Sequence, residues 1–256
     1  MAVFCALTCV AVMAQEKKSG HALAGFKWVD YRLGDTVNGY MATKTARKVG
    51  WDHVERKAIP GSIAAEYLNR THEPYRYDVL CEIVRVRGSR DVSLIPKSDL
   101  IVVHLRLGDT TDKLSETAIV KLWTQQKYTL LDHHREYVFG REFYEVALRH
   151  LTRKGRAVVI VGWNHHGSLR DTMKPSVRIE RSNHTGSVMY RNLIVEWFKD
   201  QGFAVTHRWD NNPDDDFVYM SHASQFVYGG GGFSHMAGEC VQRLGGVVQP
   251  KNAPFY

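Results

Sequence analysis

The stretch that decides the fold is Asp99-Leu100-Ile101-Val102-Val103-His104-Leu105-Arg106-Leu107-Gly108-Asp109. It begins as an unbroken apolar run, which suits a strand buried on both faces of a parallel sheet. It changes character at His104 and Arg106 and stops at Gly108-Asp109. Side chains alternate along a strand, so His104 and Arg106 share one face while Leu105 and Leu107 take the other. A cation and an imidazole at the end of a buried strand are expensive unless something anionic sits beside them. In open α/β sheets the carboxyl ends of the strands are also where ligands bind. The plain alternative is an arginine at a strand end paired with Asp109.

Outward from this strand the chain alternates helix and strand. Upstream, Ser62 to Arg70 and Tyr77 to Val86 have helical spacing, and Gly88 to Ser98 forms a linker. Downstream, Thr110 to Thr117 is polar and reads as a loop over the strand end. Arg141 to Arg153 is an amphipathic helix, with Gly155 as its stop. Ala157 to Gly162 is a second buried strand, followed by a polar aromatic loop from Trp163 to Gly167. Ser187 to Asp200 is a helix, Phe203 to Thr206 a strand, Asp214 to Ala223 a helix and Ser224 to Tyr228 a strand. Gly229 to Gly232 then turns into a helix opening at Phe233-Ser234-His235. Glycines between a buried strand and a helix N-terminus let backbone amides approach a phosphate. The alternation implies a doubly wound, Rossmann-like α/β domain.

Composition narrows the function. A formal charge of +7 over 256 residues points to an anionic partner. No basic run is interleaved with aromatics and no zinc-finger spacing occurs, so nucleic acid is not the expected partner. Cys5, Cys9, Cys81 and Cys240 are scattered without paired spacing, which reads as free thiols in a reducing compartment. Val3 to Ala14 is apolar but far short of the roughly 20 residues that span a bilayer. It has the length of a signal-peptide core without a basic leader, and a buried first element is the better reading. The expected location is therefore cytoplasmic, with a secretory lumen as the alternative. The aromatic, basic region from His21 to Lys57 reads as half-buried helix and loop, or as a surface for a sugar acceptor.

His104-Leu105-Arg106-Leu107-Gly108-Asp109 resembles the His-x-Arg-x-Gly-Asp peptide of the fucosyltransferase superfamily, whose members often carry a second arginine where this chain has Leu107. A second likeness follows in order. Asp216-Phe217, Met220-Ser221, a short strand and Gly232-Phe233-Ser234 are similar to the C-terminal region of the α1,2-fucosyltransferases, with a tetraglycine in place of an Asn-Ser/Thr element. Together the two cover about residues 100 to 249. The resemblance implies a GT-B-like fold, with a small N-terminal acceptor-side lobe over residues 1–95 and a Rossmann-like nucleotide-sugar domain over 96–256. It implies an inverting transfer, most concretely of fucose from GDP-fucose to a glycan hydroxyl. Arg106 would hold the donor phosphates, with His104, Gly231, Gly232, Phe233, Ser234 and Asp216 around the donor.

Charge grows on the β-phosphate as the glycosyl bond breaks, and Arg106 with the amides of Gly231 to Ser234 suits its stabilisation. No metal or other cofactor is then expected, although Asp214-Asp215-Asp216 is an acidic run. A carboxylate should take the acceptor's proton. Asp109, Asp112 and Glu116 all lie on or beside the loop after the central strand. Asp112 is preferred as base, because Asp109 directly follows the strand and is expected to be tied to Arg106 or to backbone amides. Two other readings compete: an inactive sugar-nucleotide-binding protein, and a hydrolase with a metal held by His104, His165, His166 and His235. The oligomeric state has no signature in the sequence.

Overall fold

The computed structural model describes residues 61–71, 73, 75–108, 110–112, 114–125, 138–151, 157–163, 185–209 and 211–250, with Trp163 described by its backbone alone. Asp109, the region up to residue 60, Gly155, His165 and His166 lie outside these. In chain order the helices are α1 (Ile63–Arg70), α2 (Tyr77–Arg90), α3 (Glu116–Gln125), α4 (Arg141–Arg149), α5 (Thr185–Asp200), α6 (Pro213–Ser221) and α7 (Gly231–Arg243). The strands are β1 (Leu100–Arg106), β2 (Ala157–Trp163), β3 (Ala204–Trp209), β4 (Gln225–Val227) and β5 (Val247–Gln249), and a 3-10 turn at Val92–Leu94 joins α2 to β1.

The five strands form one sheet in the order β3-β2-β1-β4-β5, and every pairing is parallel. Apolar side chains on both faces explain this arrangement. Ile101, Val102 and Val103 of β1 and Val158 and Ile160 of β2 are fully buried, as a strand covered by helices on both sides requires. The expected α/β class with a parallel sheet is thus what the chain adopts. The order runs outward from β1 to β3, returns to β4 beside β1 and then runs the other way. With right-handed crossovers, the two halves place their helices on opposite faces.

The side chains show these two layers. His104, Val161 and Arg208 stand on one rung of β1, β2 and β3 and therefore face the same way. The His104 ring lies 5.9 Å from Phe233 of α7, and Phe233 lies 5.2 Å from Phe217 of α6. On this face α6 and α7 pack with α2, and α2 with α1. Trp209, one residue on from Arg208, faces the other layer, where Arg191 of α5 sits 5.3 Å over its ring. There Trp123 of α3, Tyr144 of α4 and Trp197 and Phe198 of α5 interlock as an aromatic core.

Local signals set several element ends. The Ser62 hydroxyl accepts from the Ala65 amide and caps α1, and Asn212 caps α6 ahead of Pro213 in the same way. Helix α4 ends at Arg149 with His150 as its cap, so its stop is not Gly155. Helix α3 begins at Glu116, inside the segment expected to be loop up to Thr117. The C-terminal strand β5 is too short to have shown a periodicity.

One expectation is corrected outright. Cys81 of α2 and Cys240 of α7 form a disulfide, with Cα atoms 5.1 Å apart and a separation of 159 positions in sequence. Pairing over such a separation leaves no local spacing to read. The argument from unpaired thiols to a reducing compartment therefore falls, since disulfides persist where thiols are oxidised.

Among the described residues no helix is long and apolar enough to cross a membrane.

Candidate functional site

The strand order reverses between β1 and β4, and at such a point the loops leaving the two strands part to open a crevice. One wall is the end of β1, carrying His104 and Arg106. The other is the turn from β4 into α7. The sequence places Arg106 and Gly231-Gly232-Phe233-Ser234 far apart; the topology brings their elements to the same end of the sheet on adjacent strands.

The turn into α7 is built by glycines for steric reasons. Gly230 and Gly231 have φ of +81° and +77°, a region that side chains with a Cβ rarely enter. A Cβ on Gly229 would collide with the carbonyl oxygen of His104 and with its ring. The loop can thus run directly against β1. The first N–H groups of any helix lack intrahelical acceptors. Gly230 supplies no side-chain cap for those of α7. This leaves an amide-rich, positively polarised helix end, the arrangement that suits a phosphate.

His104 is buried, and its Nδ1 makes no hydrogen bond. Burial, reinforced by the neighbouring Arg106 cation, depresses its pKa to about 3, so the ring is neutral at ordinary pH. It acts as an apolar plate against Phe233 and Gly229 rather than as a second cation. Arg106, two residues further along the same face, is half-buried. Thr110 donates to its carbonyl oxygen at 3.2 Å, turning the chain immediately after the strand.

The loop after β1 is pinned to α5 by contacts that the sequence did not advertise. The Gly108 amide donates to the Ser187 hydroxyl at 2.9 Å, and Thr111 and Ser187 share a hydroxyl contact of 2.7 Å. Asp112 Oδ1 accepts from the Ser187 amide at 2.7 Å. It therefore caps the first turn of α5; the tie expected at Asp109 lies outside the described residues. Gly186 allows this closeness, because a Cβ there would strike the Thr111 carbonyl. Glu116 is exposed in the first turn of α3.

Two other candidates turn inward. Ser234 is fully buried, and its hydroxyl accepts from the Gly229 amide at 2.9 Å. It holds the glycine turn closed. Asp216 is buried and accepts from Arg208 of β3 at 3.0 Å. Burial raises its pKa, and Arg208 opposes the rise. Asp214 similarly accepts from the Ile63 amide at 2.8 Å and from Arg87 at 3.4 Å, joining α6 to α1. These two acidic residues thus act as internal ties. Gly232 is exposed and Phe233 half-buried at the crevice.

Among the described residues no group of three or more His, Cys, Asp or Glu side chains is placed to hold a metal ion. Comparison with protein-family models, with curated proteins and with solved structures gives no match for this chain.

Proposed function

We propose that this chain is an inverting glycosyltransferase of GT-B type. Its described part would be the Rossmann-like donor domain, and the donor a nucleotide-sugar, most concretely GDP-fucose. One observation carries the reading. Arg106 at the end of β1 and the glycine start of α7, which has no side-chain cap, flank the reversal of strand order in the described sheet, where open α/β sheets bind ligands. The resemblance of the peptide from His104 to Asp109 supports fucose as the sugar.

In this mechanism the acceptor hydroxyl attacks the anomeric carbon, and the bond from that carbon to the β-phosphate oxygen breaks. The nucleoside diphosphate leaves with the electron pair, and Arg106 and the α7 amides stabilise its growing charge. The reaction then has no requirement for a metal. The hydroxyl proton passes to a carboxylate. A carboxylate fixed by an amide is better suited to positioning than to proton abstraction. Asp112 accordingly serves as the clamp of the loop, and the base is sought at Glu116 or Asp109. The acceptor side would be supplied by the N-terminal region. The Cys81–Cys240 bond favours a secretory lumen over the cytoplasm.

The test is thermal unfolding with GDP-fucose, GDP-mannose, UDP-xylose and UDP-glucose in turn. A ligand at 100 times its Kd stabilises the native state by about 2.7 kcal/mol. In a chain of this size that raises Tm by roughly 5–10 °C. A shift with GDP-fucose, and transfer of labelled fucose to a glycan panel in the presence of a chelator, supports the proposal. No shift with any of the four rejects it. A shift without transfer to any acceptor favours the inactive sugar-nucleotide-binding reading.

A further inference from the structure

Helix α2 leads through the 3-10 turn into β1, which carries Arg106, and α7 supplies the amides across the crevice. These helices lie side by side on the same face of the sheet, and two contacts bind them in register. Near the start of each, the Tyr77 hydroxyl lies 3.3 Å from His235 Nε2, with the rings edge to face at 5.8 Å. About one turn further along both helices, Cys81 is bonded to Cys240. Both cysteines are buried, Cys240 completely. The covalent bond thus joins the helix that precedes β1 to the helix that supplies the amides.

We propose that the Cys81–Cys240 bond is a maturation device that positions the N-terminal turn of α7. Its oxidation sets the crevice, and the dithiol form of the chain binds anions poorly. The inference about binding rests on the phosphate reading given above; the inference about the position of α7 does not. Formation of the bond removes two protons and two electrons from the two thiols. These pass by thiol–disulfide exchange to an oxidised dithiol partner, whose own disulfide becomes two thiols. Burial keeps small reductants from the bond in the folded chain, so it is set during folding rather than cycled. Closing a loop of this length restricts the unfolded chain strongly, whereas the hydrogen bond that closes the turn from Gly229 to Ser234 is local. Loss of the bond should therefore loosen α7 before it disrupts the sheet.

The experiment uses the full chain folded under oxidising conditions in a Cys5→Ser/Cys9→Ser background, so that only the inner pair responds. Peptide mapping without reductant should show Cys81 linked to Cys240; free thiols at both would overturn the proposal. Amide hydrogen exchange is then compared between the oxidised chain and the same chain unfolded and refolded with dithiothreitol, which is itself oxidised to its cyclic disulfide. A Cys81→Ala/Cys240→Ala variant serves as an independent mimic of the open form. Exchange in residues 231–240 should accelerate by about tenfold or more, with β1 and β2 unchanged. The affinity for inorganic pyrophosphate should fall about tenfold in parallel. Equal exchange and equal affinity in the oxidised and open forms would overturn the proposal. If α7 loosens but even the oxidised chain ignores pyrophosphate, the positioning role stands and the phosphate reading fails.

Discussion

Arg106 and His104 occupy one face of β1, yet their tasks separate once burial is known. Arg106 is the half-buried cation at the crevice, so Arg106→Ala should weaken nucleotide-sugar binding by about 1.5–3 kcal/mol, as for hydrogen bonds to charged groups. Arg106→Lys should restore only part of it, because lysine lacks the planar fork that grips two phosphate oxygens. Titration calorimetry decides, and unchanged affinity in both variants rejects the assignment. His104 makes a prediction about pH instead. Its folded pKa lies near 3, against 6.5 for the free side chain. Between these values the unfolded chain binds the proton and the native chain does not. Stability contributed by the neutral ring is therefore complete above pH 6.5 and lost on acidification, with a slope approaching about 1.4 kcal/mol per pH unit. Urea unfolding at pH 7.5, 5.5 and 4.5 should show this loss in the wild type and a smaller one in His104→Gln; equal slopes would refute it. The alternation of residue types along β1 was legible in the sequence, and so was the shared face. The neutrality of His104 was not, because it depends on Phe233 and Gly229, more than a hundred residues away in the chain.

At the scale of elements, the loop after β1 and the first turn of α5 form one unit through Asp112, Thr111, Ser187 and Gly108. This unit separates two meanings of a carboxylate that sequence alone could not separate. Asparagine keeps an oxygen able to accept from the Ser187 amide, whereas alanine does not. If Asp112 is a clamp, Asp112→Asn should retain stability and most of the turnover, and Asp112→Ala should lose about 1 kcal/mol of stability, as for other lost N-terminal caps. If it were the base, both variants would lose turnover by roughly two orders of magnitude or more. Glu116→Gln, measured alongside at saturating donor, should show that large loss with its donor affinity intact. A normal rate would leave Asp109 as the base. Most elements were readable because their signals are local: the apolar runs of β1 and β2, the helical spacing from Ser62 to Arg70, the glycines before α7. What escaped was α3, whose first turn is polar, and β5, whose three residues carry no period. The ties of Ser234 and Asp216 also escaped, since each points into the protein toward an element fixed only by the tertiary fold.

For the whole molecule, the division expected at residues 95/96 falls between α2 and β1. The packing there is continuous. Ile63 and Tyr67 of α1 and Leu80, Ile83 and Val84 of α2 are each almost wholly buried, in the same core as the sheet. Helix α1 is further joined to α6 through Asp214, and α2 to α7 through the disulfide. Burying each such side chain stabilises the fold by about 1.5–3 kcal/mol. Together the five are comparable to a typical total stability of about 5–15 kcal/mol. A fragment beginning at residue 96 would expose one face of α6 and α7 and leave Cys240 without its partner. It should show no cooperative thermal transition and should bind no nucleotide-sugar. A fragment beginning at residue 61 keeps α1, α2 and the disulfide, and should unfold cooperatively. Circular dichroism melts of the two decide the matter. A cooperative transition in the shorter fragment would show that α1 and α2 belong to a separate acceptor-side lobe, and that the sheet with its later helices is a domain in its own right.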